Sequence, residues 1–194
     1  MMRQSWKVMW REIAYWGRKL AECGLVSSRF GNISVRTERG LLIKRSGAML
    51  DSLKEEDVIE VGLTPSKADA GASSETSSHR AIYLATDARA IIHAHPQFAI
   101  VESLLCGSEI EPLDSEGLSF LGTIPIVDGE PGSRELFESL TRAFSSGKAR
   151  GVVNRGHGSF AAGPDLADCF NTTAMIEHSS KIRYLYDLQR RAKS

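Results

Sequence analysis

The stretch "AIIHAHPQ", residues 90–97, sets two histidines, His93 and His95, one residue apart within an apolar run. In a β-strand, residues i and i+2 point to the same side about 6.6 Å apart, so both imidazoles can lean onto one ion. His-x-His is then half of a metal site. The same pair also serves as two hydrogen-bonded core histidines, and a third ligand decides between the readings. "NRGHGSFAAG" offers one. His157 follows a predicted strand and lies between Gly156 and Gly158, which remove side-chain bulk and let backbone approach a site closely. Three imidazoles with a fourth position open make the pattern of a catalytic Zn²⁺ site, since a closed structural site takes a fourth protein ligand, usually cysteine. One Zn²⁺ is the expected cofactor, and imidazole sites also take Co²⁺, Ni²⁺ or Mn²⁺.

Glu75 directly follows Ser73 and Ser74 at the predicted start of a helix, near backbone N–H groups that attract anions. Beside a metal such a carboxylate can move protons. Away from one it offsets the helix dipole. Three small, polar, glycine-bearing clusters, "GNIS" at 31–34, "SG" at 46–47 and "SSE" at 73–75, can together surround a phosphate with hydroxyls and backbone donors. Taken singly, each is an ordinary turn or cap. His79, one turn after Glu75, and His178, mid-helix in "AMIEHSSKI", are read as structural.

These groups need a scaffold to hold them. Met9, Trp10, Ile13, Gly17 and Leu20 recur at helical spacing, with Gly24 placed for a left-handed cap. "NISVRT", "GLLIKR" and "DVIEVG" read as a hairpin or meander of short strands. The loop "LTPSKADAGASS" leads to a helix from about 75 to 87. Then come a strand at 90–96, a helix at about 97–106, a strand at 123–127, a helix at about 133–146, a strand at 151–155 and a long helix from about 165 to 190. Strands alternating with helices predict an α/β domain with a central sheet covered on both faces, and the early hairpin favours a mixed or antiparallel sheet. The whole chain, 1–194, reads as one domain.

Composition narrows the function classes. The 24 basic and 24 acidic residues cancel with no long run of either sign, which argues against nucleic acid or a membrane surface as partner. No apolar stretch approaches the roughly 20 residues of a membrane span, and "MMRQSWKVMWREIAYW" lacks the small-residue cleavage site of a secretory leader. Cys23, Cys106 and Cys169, odd in number and set in apolar helical patterns, read as buried free thiols of a reducing compartment. The expected location is the cytoplasm.

The order of motifs, "GLVSSRFGNISVR", "SG", "SSETSSHRAIY", "AIIHAHP" and "GHGSFAAG" before a long C-terminal helix, resembles the class II aldolase/adducin family over roughly residues 5–190. The resemblance implies a three-layer α/β/α fold around a mixed, largely antiparallel sheet of about nine strands. It implies Zn²⁺ held by His93, His95 and His157, and Glu75 as the catalytic carboxylate that moves a proton on and off the reacting carbon. Asn32, Ser46, Gly47, Ser73 and Ser74 match the positions that hold the substrate phosphate. The implied reaction is reversible cleavage of a short ketose 1-phosphate, such as L-fuculose 1-phosphate, into dihydroxyacetone phosphate and an aldehyde such as lactaldehyde, with the metal as Lewis acid. A homotetramer with sites at subunit boundaries is implied as well.

This chain departs from the family pattern at two places. "KRSG" brings Lys44 and Arg45 next to the phosphate positions, where added positive charge alters which ester is accepted. Where the family's aldolases carry a proton-donating tyrosine, "EPLDSEGLSF" has none; by counting, Asp114 falls near that position, with Glu116 close by. A carboxylate does acid work there only if burial raises its pKa. Dehydration of methylthioribulose 1-phosphate, decarboxylation of a keto-acid phosphate and epimerisation of ribulose 5-phosphate use the same metal site. The matching epimerases carry aspartate at the position of Glu75. A non-catalytic adducin-like scaffold and an unrelated zinc hydrolase are the readings from other classes.

Overall fold

The computed structural model describes residues 2–193. Helix α1 (Met2–Glu22) follows the apolar periodicity, burying Ile13 and Leu20 completely. Gly24, at φ +69°, closes it as a left-handed cap, its N–H bonded to the Ala21 carbonyl. The meander follows as β1 (Asn32–Thr37), β2 (Gly40–Lys44) and β3 (Val58–Val61). The other strands are β4 (Ala90–Ala94), β5 (Glu109–Ile110), β6 (Ile124–Val127), β7 (Gly151–Asn154) and β8 (Gly158–Gly163). Between them run α2 (Thr76–Ala85), α3 (Gln97–Leu105), α4 (Ser115–Leu121) and α5 (Arg134–Ser145), and α6 (Leu166–Arg191) ends the fold.

Among the described residues one eight-stranded sheet has the order β3-β2-β1-β4-β8-β7-β6-β5. Every pairing is antiparallel except β6 with β7. The mixed, largely antiparallel three-layer arrangement is the expected one, with eight strands in place of about nine. Alternation along β4 shows how both faces are filled. Ile92 points with Ile33 and Leu42 into the layer under α1 and α6, whereas Ile91 points with Ile43 and Phe160 into the layer under α2 and α5. Helices α3 and α4 pack beside α6 over the β5–β7 end.

Three expectations change. The segment "GSFAAG", for which the sequence predicts no strand, forms the central strand β8, lying between β4 and β7. Strand β4 ends at Ala94, because the His95 N–H goes to the Leu25 carbonyl at 2.9 Å and Pro96 opens α3. Of the cysteines only Cys169 is buried; Cys106 is half-buried and Cys23 exposed, the last two lying just past the apolar faces of α3 and α1. Among the described residues no helix is long and apolar enough to cross a membrane.

Candidate active site

The sheet's centre delivers the three imidazoles. His93 lies inside β4 opposite Asn32 of β1 and Phe160 of β8. It is 1% exposed and stacks on Phe160 at 4.3 Å between ring centroids, so its position is fixed by packing. Its Nδ1 lies 3.0 Å from the Ser159 carbonyl, which can only accept; Nδ1 therefore carries the proton and Nε2 keeps its lone pair. His95, one residue beyond the strand, still turns its Nε2 to 3.0 Å from that of His93. His157 enters from the tight β7–β8 turn, where a side chain on Gly158 would run into the Ala94 carbonyl, so only glycine lets that turn close over β4. One nitrogen of each of the three rings lies within 4.8 Å of the others.

Burial keeps these rings neutral. It pushes the His93 imidazole well below its usual range, assisted by the neighbouring His95 and His157, and pushes His95 down to about 4. His157 is lowered too by burial, against the opposing pull of Glu75 and then Glu130. Neutral imidazoles offer lone pairs to a metal at neutral pH.

Beside the cluster opens a cavity of about 180 Å³, and Glu75 lines it together with all three histidines. Glu75 is the N-cap of α2, which starts at Thr76 and not at Glu75 itself, and its carboxylate accepts the Ser78 hydroxyl at 2.8 Å. It does not bond the helix's free N–H groups: the Glu75 amide is held by Ser73 Oγ, 3.4 Å away. The carboxylate, 5% exposed, thus faces the cavity and does not cap the helix.

The three small-residue clusters reach the same cavity. The backbone of 71–73 zips against 44–46, Ser46 N–H to Gly71 carbonyl at 3.0 Å and Ser73 N–H to Lys44 carbonyl at 3.1 Å. That pairing brings Ser46, Gly47, Ser73 and Ser74 into one cavity lining with Asn32, whose buried Oδ1 has no protein partner. A buried polar atom without a partner is costly, and one in a cavity wall marks where a ligand or water completes the set. Lys44 joins them, its Nζ donating to the carbonyls of Arg29 and Ala48 at 2.8 and 2.6 Å. Burial pushes its pKa down to about 8, with Asp57 pulling the other way.

The remaining candidates stand elsewhere. Arg45 turns outward, its Nε donating to the Glu56 carbonyl at 2.8 Å. Asp114 is the N-cap of α4, accepting the Gly117 N–H at 2.7 Å, and is not part of the cavity wall. Its carboxyl sits below the usual range despite partial burial, because the Gly117 N–H hydrogen bond favours the charged form, so the raised pKa that acid work needs is not present. Glu116 is exposed next to it, and His178 is exposed on α6. His79 is fully buried with Nδ1 2.7 Å from Ser34 Oγ and is not part of the cavity lining. Sequence reasoning passed over Arg29 and Phe30, exposed at the cavity mouth, with the Phe30 ring 5.8 Å from His95. Their only signal is adjacency to "GNIS" in the loop that follows α1.

This geometry can be set against known proteins. The sequence model of the Class II Aldolase and Adducin N-terminal domain matches residues 11–184. The chain belongs to that family. Among class II aldolase relatives, the L-fuculose phosphate aldolase of Methanocaldococcus jannaschii is 31% identical over 170 residues, 87% of this chain and 91% of that one. The methylthioribulose-1-phosphate dehydratase of Acidiphilium cryptum is 32% identical over 174 residues, 82% of each chain. Among solved structures, L-fuculose-1-phosphate aldolase from Thermus thermophilus aligns with a TM-score of 0.87 at 33% identity, covering 95% of this chain and 96% of that one.

Class II aldolases are metal-dependent enzymes, and this family member carries residues that fit a divalent ion. Three neutral imidazoles converge, the tautomer of His93 is set by a carbonyl, and no cysteine joins the cluster among the described residues. Outer partners that orient ligand rings are what separates a built site from a chance histidine group.

Proposed function

We propose that this protein is a zinc-dependent aldolase that reversibly cleaves a short ketose 1-phosphate, such as L-fuculose 1-phosphate, into dihydroxyacetone phosphate and an aldehyde such as lactaldehyde. The carrying observation is one cavity lined by three converging imidazoles, a buried carboxylate and the serines and glycines of an anion cup. His93, His95 and His157 would hold the ion, which supplies Lewis-acid polarisation of the substrate's carbonyl and adjacent hydroxyl oxygens. Asn32, Ser46, Gly47, Ser73 and Ser74 bind the phosphate and so fix the distance from ester to reacting carbon. Glu75 takes and returns the proton at that carbon, steadied by the Ser78 hydroxyl.

A second reading is dehydration of a methylthioribulose 1-phosphate. It is supported by the relationship to the Acidiphilium enzyme and by the absence of tyrosine from the cavity wall among the described residues. The same Glu75 would then remove the proton that leaves with a hydroxyl. A single domain working in the cytoplasm as a homotetramer completes the reading, supported by three free cysteines and by the exposed apolar Leu104, Leu105 and Leu118.

The test pairs metal content of the purified protein with release of dihydroxyacetone phosphate from a panel of ketose 1-phosphates, with and without chelator. Chelator-sensitive release supports the aldolase and ranks its aldehydes. Bound metal with no release, and water loss from methylthioribulose 1-phosphate, moves the assignment to the dehydratase.

Lys44 yields a pH prediction. With its pKa near 8, the ammonium is mostly charged at pH 7 and mostly neutral at pH 9. A phosphate monoester, whose second pKa is about 6, stays dianionic over that range. Affinity for glycerol phosphate should therefore fall as pH rises through about 8, moving upward to the extent that the bound dianion favours the ammonium. Calorimetric titration from pH 7 to 9.5 checks it, and a flat profile, or the same bend in Lys44→Met, removes Lys44 from the cup.

A further inference from the structure

The geometry points to Arg155 as a positioning residue that fixes His157 relative to His95 by clamping the β7–β8 turn onto the last turn of α3. This assignment rests on the reading of the three histidines as metal ligands.

The last carbonyls of a helix have no partner within it and attract cations. Arg155 fills that place for α3. Its Nη1 donates to the Ser103 carbonyl and, at 3.0 Å, to that of Cys106, while Nη2 donates to Gly107 at 2.7 Å. Its Nε is held by Asp128 Oδ1 at 2.7 Å, which orients the guanidinium plane. The next residue is tied to the same helix, the Gly156 N–H donating to the fully buried Ser103 Oγ at 2.9 Å. His157 follows directly, its N–H closing onto the Asn154 carbonyl at 3.0 Å.

His95 stands at the other end of α3, one residue before its N-cap, Pro96. That end is pinned too: the Glu177 carboxylate accepts the N–H groups of Phe98 and Ala99 at 3.1 and 3.0 Å. One short helix, braced at both ends, therefore links two ligands that lie about sixty residues apart in sequence. His93 needs no such brace, being held by β4 and Phe160.

Arg36 provides a matched control. It caps α2 in the same manner, its guanidinium donating to the carbonyls of Tyr83, Thr86 and Ala88, but it touches neither the His157 turn nor α3. The experiment measures zinc dissociation constants by competition with a chromophoric chelator, the visible spectrum of the Co²⁺-loaded proteins, and melting of the metal-free proteins. Arg155→Met should weaken zinc by about 10-fold, the low end of the range for groups bonded directly to a ligand ring, because Arg155 acts on His157 through the turn backbone, and alter the Co²⁺ spectrum. Arg36→Met should lower the melting point by a similar amount yet keep wild-type zinc affinity. Should Arg155→Met fail to fold, Ser103→Ala, which removes the acceptor for Gly156 together with the hydroxyl's own bond to the Ile100 carbonyl, takes its place and should weaken zinc several-fold. Unchanged zinc affinity in the Arg155 or Ser103 variant, or equal loss in Arg36→Met, overturns the assignment. A wild-type protein that binds no zinc overturns the metal reading itself, and this assignment with it.

Discussion

Glu75→Gln should keep its fold and its metal while turnover falls by about 10²- to 10⁴-fold, the usual share of a general acid–base group. The substitution preserves shape, and the Ser78 hydroxyl that now donates to the carboxylate can donate equally to an amide oxygen. No charge-assisted helix cap is lost, since the carboxylate makes no capping bond to α2. What disappears is the only basic oxygen pair that shares the cavity with the histidines among its described lining residues. Metal content and melting temperature measured beside the rate separate loss of chemistry from loss of structure. Near-wild-type turnover would take the proton-moving role away from Glu75, whichever reaction the enzyme catalyses.

Why so much of this site is legible in sequence, and the rest is not, follows from the range of each signal. His-x-His and the glycines around His157 are local patterns whose cause is local: a pleat that alternates faces and a turn with no room for a side chain. Glu75 after two serines is similarly local, although its place in the cavity lining depends on the long-range zipping of 71–73 onto 44–46. Strand β8 is hidden because glycine, alanine and serine have low strand propensity, and its pairing on both sides with β4 and β7 supplies what propensity lacks. Counting residues from the His-x-His motif puts Asp114 near a proton-donor position, but counting ignores the turn after β5, where that aspartate instead caps α4. Arg29 and Phe30 carry no residue-type signal at all; their place at the cavity mouth comes from where α1 leaves the chain to enter β1.

Replacement of His157 by alanine should give the second large effect, loss of the proposed metal, and it is the cleanest of the three histidine substitutions. His93→Ala would remove a fully buried ring stacked on Phe160 and hydrogen-bonded to Ser159, so a cavity and an orphaned carbonyl would cost several kcal/mol, roughly the 2–5 typical of large core truncations. His95 stands between β4 and the start of α3, where a change disturbs the packing of both. His157 is half-buried in a hairpin turn whose backbone bonds, from His157 to Asn154 and from Gly156 to Ser103, do not involve its side chain. Two imidazoles then remain, and a His-x-His pair alone gives the ion neither three protein ligands nor the geometry of a catalytic site. Zinc affinity should drop by more than about 100-fold, beyond what loss of an outer partner costs, while melting of the metal-free protein changes by no more than a few degrees. Competition titration and differential scanning calorimetry on the same samples check both halves. Full zinc occupancy in His157→Ala would mean that the ion is held without the β7–β8 turn, and the three-imidazole centre would have to be redrawn.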